Sequence, residues 1–218
     1  MNRQSPTRAR RPGARTLVVL LLLVASQLVL WPTLEWLQRP IADRPLSISP
    51  AGSLETDARI HVQQRYRLSL DLPNKDAQGR AMNREALGGR QYPRVDGASI
   101  PIEWALADSR SGQVIAGGTV DTRNASQWGG GVATRHIAFV DVPPGRYRLS
   151  VRVLRNVIEL QGITGRVRLG LPGGKISAGW TSTLLFWGPI ASVLLVWPAI
   201  GVLIIVFLWK RSGHRRRE

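Results

Sequence analysis

The sequence has no cysteine among its 218 residues, so neither a disulfide framework nor a thiolate metal site is possible, and the fold must rest on a packed core. Histidine is scarce as well. Only His61, His136 and His214 occur, and the first two lie in strand-like stretches without metal-ligand spacing. Asp57 precedes His61 by four residues, which aligns side chains on a helix but not on a strand. No HExxH, phosphate-loop, GxSxG or SxxK pattern is present, and the carboxylates are scattered. These absences argue against an enzyme, and no cofactor or metal is expected. Acidic residues are also in short supply: 14 Asp and Glu stand against 30 Lys and Arg, a formal charge of +16.

What is abundant is apolar sequence at both ends. Residues 187–209 run for 23 positions without a charge. At ~1.5 Å per residue a helix of this length reaches about 34 Å, enough for a bilayer core of ~30 Å. Trp187 and Trp209 mark its rims, and Lys210 and Arg211 follow, as cytoplasmic flanks do. Gly188-Pro189 is placed to start the helix, and Pro198 near its middle predicts a kink. A second apolar stretch, 16–37, follows an arginine-rich tail. Val24-Ala25-Ser26 offers a small-residue cleavage site, but Leu28, Val29, Leu30 and Trp31 carry the run on to spanning length, which favours an uncleaved signal anchor over a signal peptide. Gln27, polar in the middle of this run, is expected with Ala25 and Ser26 to meet small residues of the other span such as Ala191, Ser192, Ala199 or Gly201.

The charge divides accordingly. Residues 1–15 hold five arginines and no acid, and 210–218 hold five basic residues and one acid, which leaves +7 for the rest. Basic tails beside apolar spans are topology signals, so both termini (1–15 and 210–218) are expected in the cytoplasm. The spans are then 16–37 and 179–209, and 38–178 form an extracytoplasmic domain, periplasmic in a bacterium. Nucleic acid is not an expected partner.

Between the spans, 38–50 read as a proline-rich connector leading to an edge strand near Leu46. Period-two alternation follows: Ile60 and Val62; Tyr66, Leu68, Leu70 and Leu72; Ile100, Ile102, Trp104 and Leu106; Val114 and Ala116; Ile137 and Phe139; Tyr147, Leu149, Val151 and Val153; Val167, Leu169 and Leu171. About seven short strands predict an all-β antiparallel sandwich. One short helix is expected over 81–87, capped by Gly88-Gly89. The run Val142-Pro-Pro-Gly-Arg-Tyr-Arg-Leu-Ser-Val-Arg-Val153 resembles the corner and penultimate strand of immunoglobulin-like and fibronectin-like modules. That resemblance implies that the Tyr147 hydroxyl bonds back to the backbone and that Trp104 is the large core residue.

Arginine phase supplies the candidate site. Arg65 and Arg67, Arg146 and Arg148, and Arg166 and Arg168 alternate with core residues and point outward. Solvated surface paired with Asp71, Glu103 or Glu159 would explain them. If their strands are neighbours, like charges face one another at a cost that an anionic partner relieves. Trp128 beside Gly129, Gly130 and Gly131 is either an aromatic platform or a hairpin residue folded back on the sandwich. The Asn124-Ala125-Ser126 sequon is too short to weigh. The expected function is a membrane-tethered, non-enzymatic binding module for an acidic protein or anionic headgroup, immunity- or inhibitor-like. The alternative is a structural subunit of a membrane complex.

Overall fold

The computed structural model describes residues 14–75, 84–89, 96–172 and 180–215. The chain divides into two compact units, Gln38–Ser177 and the flanking segments Met1–Leu37 with Ala178–Glu218.

The first unit is built almost wholly from antiparallel strands: β1 (Ala42–Ser47), β2 (Ser53–Ile60), β3 (Gln64–Pro73), β4 (Ile100–Asp108), β5 (Val114–Thr122), β6 (Ala125–Gly129), β7 (Val132–Val142), β8 (Gly145–Val153) and β9 (Thr164–Gly170). They form a five-stranded sheet ordered β1-β9-β3-β7-β6 and a four-stranded sheet ordered β2-β8-β4-β5. Inward residues of both sheets merge in one core that includes Leu68, Leu70, Ile102, Trp104, Leu149 and Val167. Trp104 is 8% exposed.

The nine strands exceed the expected seven for two local reasons. β2, SLETDARI, keeps only Ala58 and Ile60 fully buried, so its apolar period is faint. β6 buries Ala125 alone. The alternation also misplaced Phe139. The β3–β7 register shifts between Leu68 and Ser69, and a bulge moves side chains to the other face. Val140 and Val142 therefore point inward, while Phe139 lies outside, its ring 4.2 Å from His136. Of the expected helix, α2 spans Arg84–Leu87, and 81–83 lie outside the described residues. It ends at Gly88, whose φ of +69° is a left-handed conformation open to glycine.

Two links that cross between the sheets lie at the same end of the sandwich: residues 61–63 join β2 to β3, and 143–144 join β7 to β8. Each is fastened by a tyrosine. The Tyr66 hydroxyl donates to Val62 O at 2.6 Å, and that of Tyr147 to Pro143 O at 2.9 Å. Gly145 lets the second ring fold back, since a Cβ there would stand 3.0 Å from the Tyr147 oxygen. The unit's two chain ends meet at this end too. Ile41 N–H donates to Leu169 O at 2.7 Å, and Gly170 lies in register with Arg67.

The second unit consists of long apolar helices. α1 (Ala14–Gln38) continues through Pro32 without a break. α3 (Trp180–Ala191) leads through a π-turn (Ser192–Val196) into α4 (Trp197–Arg215). Two helical stretches, Arg15–Gln38 and Thr183–Trp209, are long and apolar enough to cross a membrane. Pro189 does not start its helix, contrary to expectation, but lies inside α3. The irregularity expected at Pro198 takes the form of the π-turn before it, in which Trp197 N–H reaches back to Ser192 O. Proline has no N–H to continue an α-helical ladder. Gln27 is 6% exposed, and its Oε1 accepts a hydrogen bond from the buried Ser192 hydroxyl. Leu30 and Leu34 lie beside Gly188.

Truncation of a buried tryptophan removes a large packed volume, typically at about 3–5 kcal/mol. Trp104→Ala is therefore expected to lower the denaturation midpoint of the sandwich by a corresponding amount. An unchanged chemical-denaturation curve would contradict its place in the core.

Candidate functional site

The six sequence-selected arginines fall on two faces, not one. Arg65 and Arg67 on β3 and Arg166 and Arg168 on β9 share the outer face of the five-stranded sheet, where β3 and β9 are neighbours. Arg146 and Arg148 lie on β8, in the other sheet. Strand pairing joins residues distant in sequence, so phase alone could not sort them.

The β3–β9 face is already largely neutralised. Arg65 contacts Asp141 at 3.1 Å, Arg166 contacts Asp43 at 2.8 Å, and Arg168 contacts Asp71 at 3.1 Å. The Asp71 carboxylate also accepts the Thr134 hydroxyl at 2.6 Å. Arg67 donates to Gln127 Oε1 at 2.9 Å; burial lowers its pKa, opposed by Asp71 and assisted by Arg168. His136 sits among these groups and is held below its ordinary 6.5, first by burial and then by Arg67. This face resembles a surface network of ion pairs more than a vacant cation site.

The β8 face differs. Arg146 stands directly opposite Arg59 of β2, and Arg148 is opposite Asp57. Among the described residues, no carboxylate lies within ion-pair distance of Arg59, Arg146, Arg148 or Arg152. Arg59 was missed because β2 itself was faint in the sequence. The Ser109 N–H donates to Arg146 O at 3.0 Å, which brings the turn carrying Arg110 alongside. Further along this sheet, Ser150, Ala105 and Gly117 are paired in a row. Their small side chains leave an open trough of about 470 Å³ flanked by Glu103, Thr119 and Arg152. No histidine lines it, and the Ser150 hydroxyl turns to Ala105 O at 3.4 Å. Among the described residues, no group of three or more His, Asp or Glu is placed to hold a metal ion.

Trp128 joins neither arginine face. It pairs with Ala133 across the β6–β7 hairpin, and its indole lies against Gly89, where an added Cβ would come within 3.1 Å of Nε1. At 41% exposed, it is the hairpin residue folded back on the sandwich.

Arg135, which sequence reasoning passed over, is the most deeply buried charge. It is 0% exposed and occupies an inward position of β7, opposite Leu70. Its guanidinium donates to Ala98 O (2.6 Å), Thr122 O (2.8 Å), Leu87 O (2.9 Å) and Ala86 O (3.0 Å). Burial draws its pKa down to about 10, and Asp121 opposes the shift. Gly97 fits beneath it: a Cβ there would stand 2.7 Å from Arg135 Nη2 and 2.5 Å from Arg123 O. An arginine in an otherwise apolar inward row was the available signal. Its role is structural, since its hydrogen bonds among the described residues all go to backbone carbonyls. Arg135→Met is expected to cost at least about 3 kcal/mol, because each buried carbonyl left without a donor costs roughly 1–3 kcal/mol. Equilibrium denaturation with a midpoint unchanged from wild type would contradict this.

Residues 43–171 match the profile of a family described as a domain of unknown function (DUF5625). The match begins in β1 and ends just past β9, so it covers the sandwich and neither apolar helix. Among solved structures, a protein from Sulfurospirillum deleyianum is similar at 14% identity and a TM-score of 0.49, over 60% of this chain and 96% of that one. No curated protein matches.

Proposed function

The chain belongs to the DUF5625 family, and from the charge on its sandwich and its two apolar helices we propose that it is a non-enzymatic, membrane-tethered binding module whose sandwich presents arginines to an anionic partner outside the membrane. Both apolar helices span the bilayer, with both termini cytoplasmic and the sandwich extracytoplasmic. The basic flanks beyond each span support this orientation. The sandwich is immunoglobulin-like in its middle: β3 to β8 follow the strand order of that key, with the hydroxyl bond of Tyr147 as its corner. Its edges differ, because β9 lies beside β3 and β2 beside β8.

The observation that carries the binding reading is the pair Arg59 and Arg146, in register on adjacent strands and, among the described residues, without a carboxylate within ion-pair distance. Like charges opposite one another are unfavourable, and guanidinium groups favour bidentate contact with carboxylate or phosphate. The competing reading, an assembly subunit of a membrane complex, draws on the Gln27–Ser192 contact, which shows helix surfaces able to make specific polar contacts.

Two measurements test the proposal. A reporter active only in the cytoplasm, fused after Glu218, is expected to be active; an inactive fusion would overturn the two-span topology. Replacing Arg146 and Arg148 with glutamine is expected to leave stability within ~0.5 kcal/mol, as exposed substitutions do. The same change should weaken binding of a co-purifying acidic partner, and the wild-type interaction should fade as salt rises. Undiminished binding with full salt sensitivity would remove these arginines from the site.

A further inference from the structure

We infer that the end of the sandwich at which its chain ends meet is a docking surface for anionic phospholipid headgroups, with Arg59, Arg146 and Arg110 as the contacting cations. This rests on the tethered reading above and names the partner of its arginines.

The first support is connectivity. β1 begins and β9 finishes at this end, joined by the bond from Ile41 N–H to Leu169 O. Only residues 39–41 separate the last residue of α1 from the first of β1. Four Cα steps span at most about 14 Å. Once α1 crosses a bilayer, that short tether keeps this end within reach of the headgroups.

The second support is charge. Arg59 and Arg146 occupy the row next to the last of the β2–β8 ladder, where only Ile60 and Gly145 lie nearer the end. The β4–β5 turn projects from the same end, because Asp108 pairs with Tyr147. Its own acid is engaged: Asp108 Oδ1 accepts the N–H groups of Arg110 and Ser111 at 2.9 and 2.8 Å and the Ser111 hydroxyl at 3.1 Å. Those bonds, with a smaller contribution from the Arg110 charge, hold its pKa below the usual range, and among the described residues no carboxylate forms an ion pair within 4.0 Å of the Arg110 guanidinium. Arg65, at the corresponding end of the other sheet, is held by Asp141. Asp57 lies one row further from the end on that face, opposite Arg148.

The third support is rigidity. Tyr66 and Tyr147 fix the two links beside these arginines, so the cations stand on a pre-formed surface and little ordering is needed on contact. A phosphodiester matches the bidentate donors of arginine. An acidic protein could approach any face of the sandwich. The three-residue connection from α1 enters the sandwich at this end, which favours a headgroup partner over a protein.

The test uses the full chain in lipid nanodiscs of phosphatidylcholine, with or without phosphatidylglycerol, read by backbone amide exchange at residues 61–63 and 109–113. Phosphatidylglycerol is expected to slow exchange there several-fold, high salt to reverse the effect, and the Arg59→Gln/Arg146→Gln variant to abolish it while its melting curve stays close to wild type. Equal exchange in both lipids, or protection that survives in the variant, overturns the inference. Protection reproduced by inorganic phosphate in phosphatidylcholine discs would mark a free-anion site instead and overturn it as well. Failure of the chain to co-elute with discs of either composition would overturn the tethered reading itself. Co-elution without a phosphatidylglycerol effect removes only the headgroup assignment.

Discussion

Two hydroxyl-to-carbonyl bonds, from Tyr66 to Val62 and from Tyr147 to Pro143, hold the end of the sandwich on which its other features converge. Each is worth only about 1 kcal/mol net, but each sits where the chain passes from one sheet to the other. A link that wandered there would loosen the facing of the sheets and hence the core between them. The geometry also suits the glycine at 145, because a Cβ there would crowd the Tyr147 ring and hydroxyl at 3.0–3.1 Å and push them from their place over the turn. Chain arrival, chain departure and the facing Arg59 and Arg146 all share this end, so a small local device fixes the geometry around them.

The opposite strategy operates at Arg135. A buried cation whose direct hydrogen-bond partners are all carbonyls is expensive in principle, and its lowered pKa reflects that cost. The return is reach. One planar group gathers α2, the segment before β4 and the end of β5, which no aliphatic side chain could do. On the β3–β9 face the Arg65–Asp141 and Arg166–Asp43 pairs lie largely in solvent, where an ion pair contributes ~0–1 kcal/mol. They keep a charged surface balanced without binding the fold together.

How far the sequence was legible follows from how local each signal is. The phases of β3, β4, β8 and β9 could be read because their inward residues are large and apolar. β2 could not, since its inward row mixes Leu54 and Thr56 with the small Ala58. The bulge in β7 reversed the face of Phe139, and nothing in the residues themselves announces a bulge. Arginine phase was legible too, but the partition of the arginines depends on which strands are neighbours. β2 pairs with β8 across some ninety residues of chain, and no short-range pattern records that. Gln27 was the easier case, because a single polar group in an apolar run has few ways to be satisfied.

The meeting of the two chain ends has a mechanical consequence. β1 and β9 are antiparallel and adjacent, and the chain enters one and leaves the other at the same end. Tension drawing those ends apart would therefore load the ladder one rung at a time, beginning at the bond from Ile41 to Leu169. Strands pulled from opposite ends share the load over every rung at once, whereas this arrangement opens like a zip at low force. β1 is also an edge strand containing Pro45, which contributes no N–H to the ladder. The sandwich thus carries a mechanically weak seam between its two chain ends, and a pull on those ends would peel away β1 before disturbing the central strands.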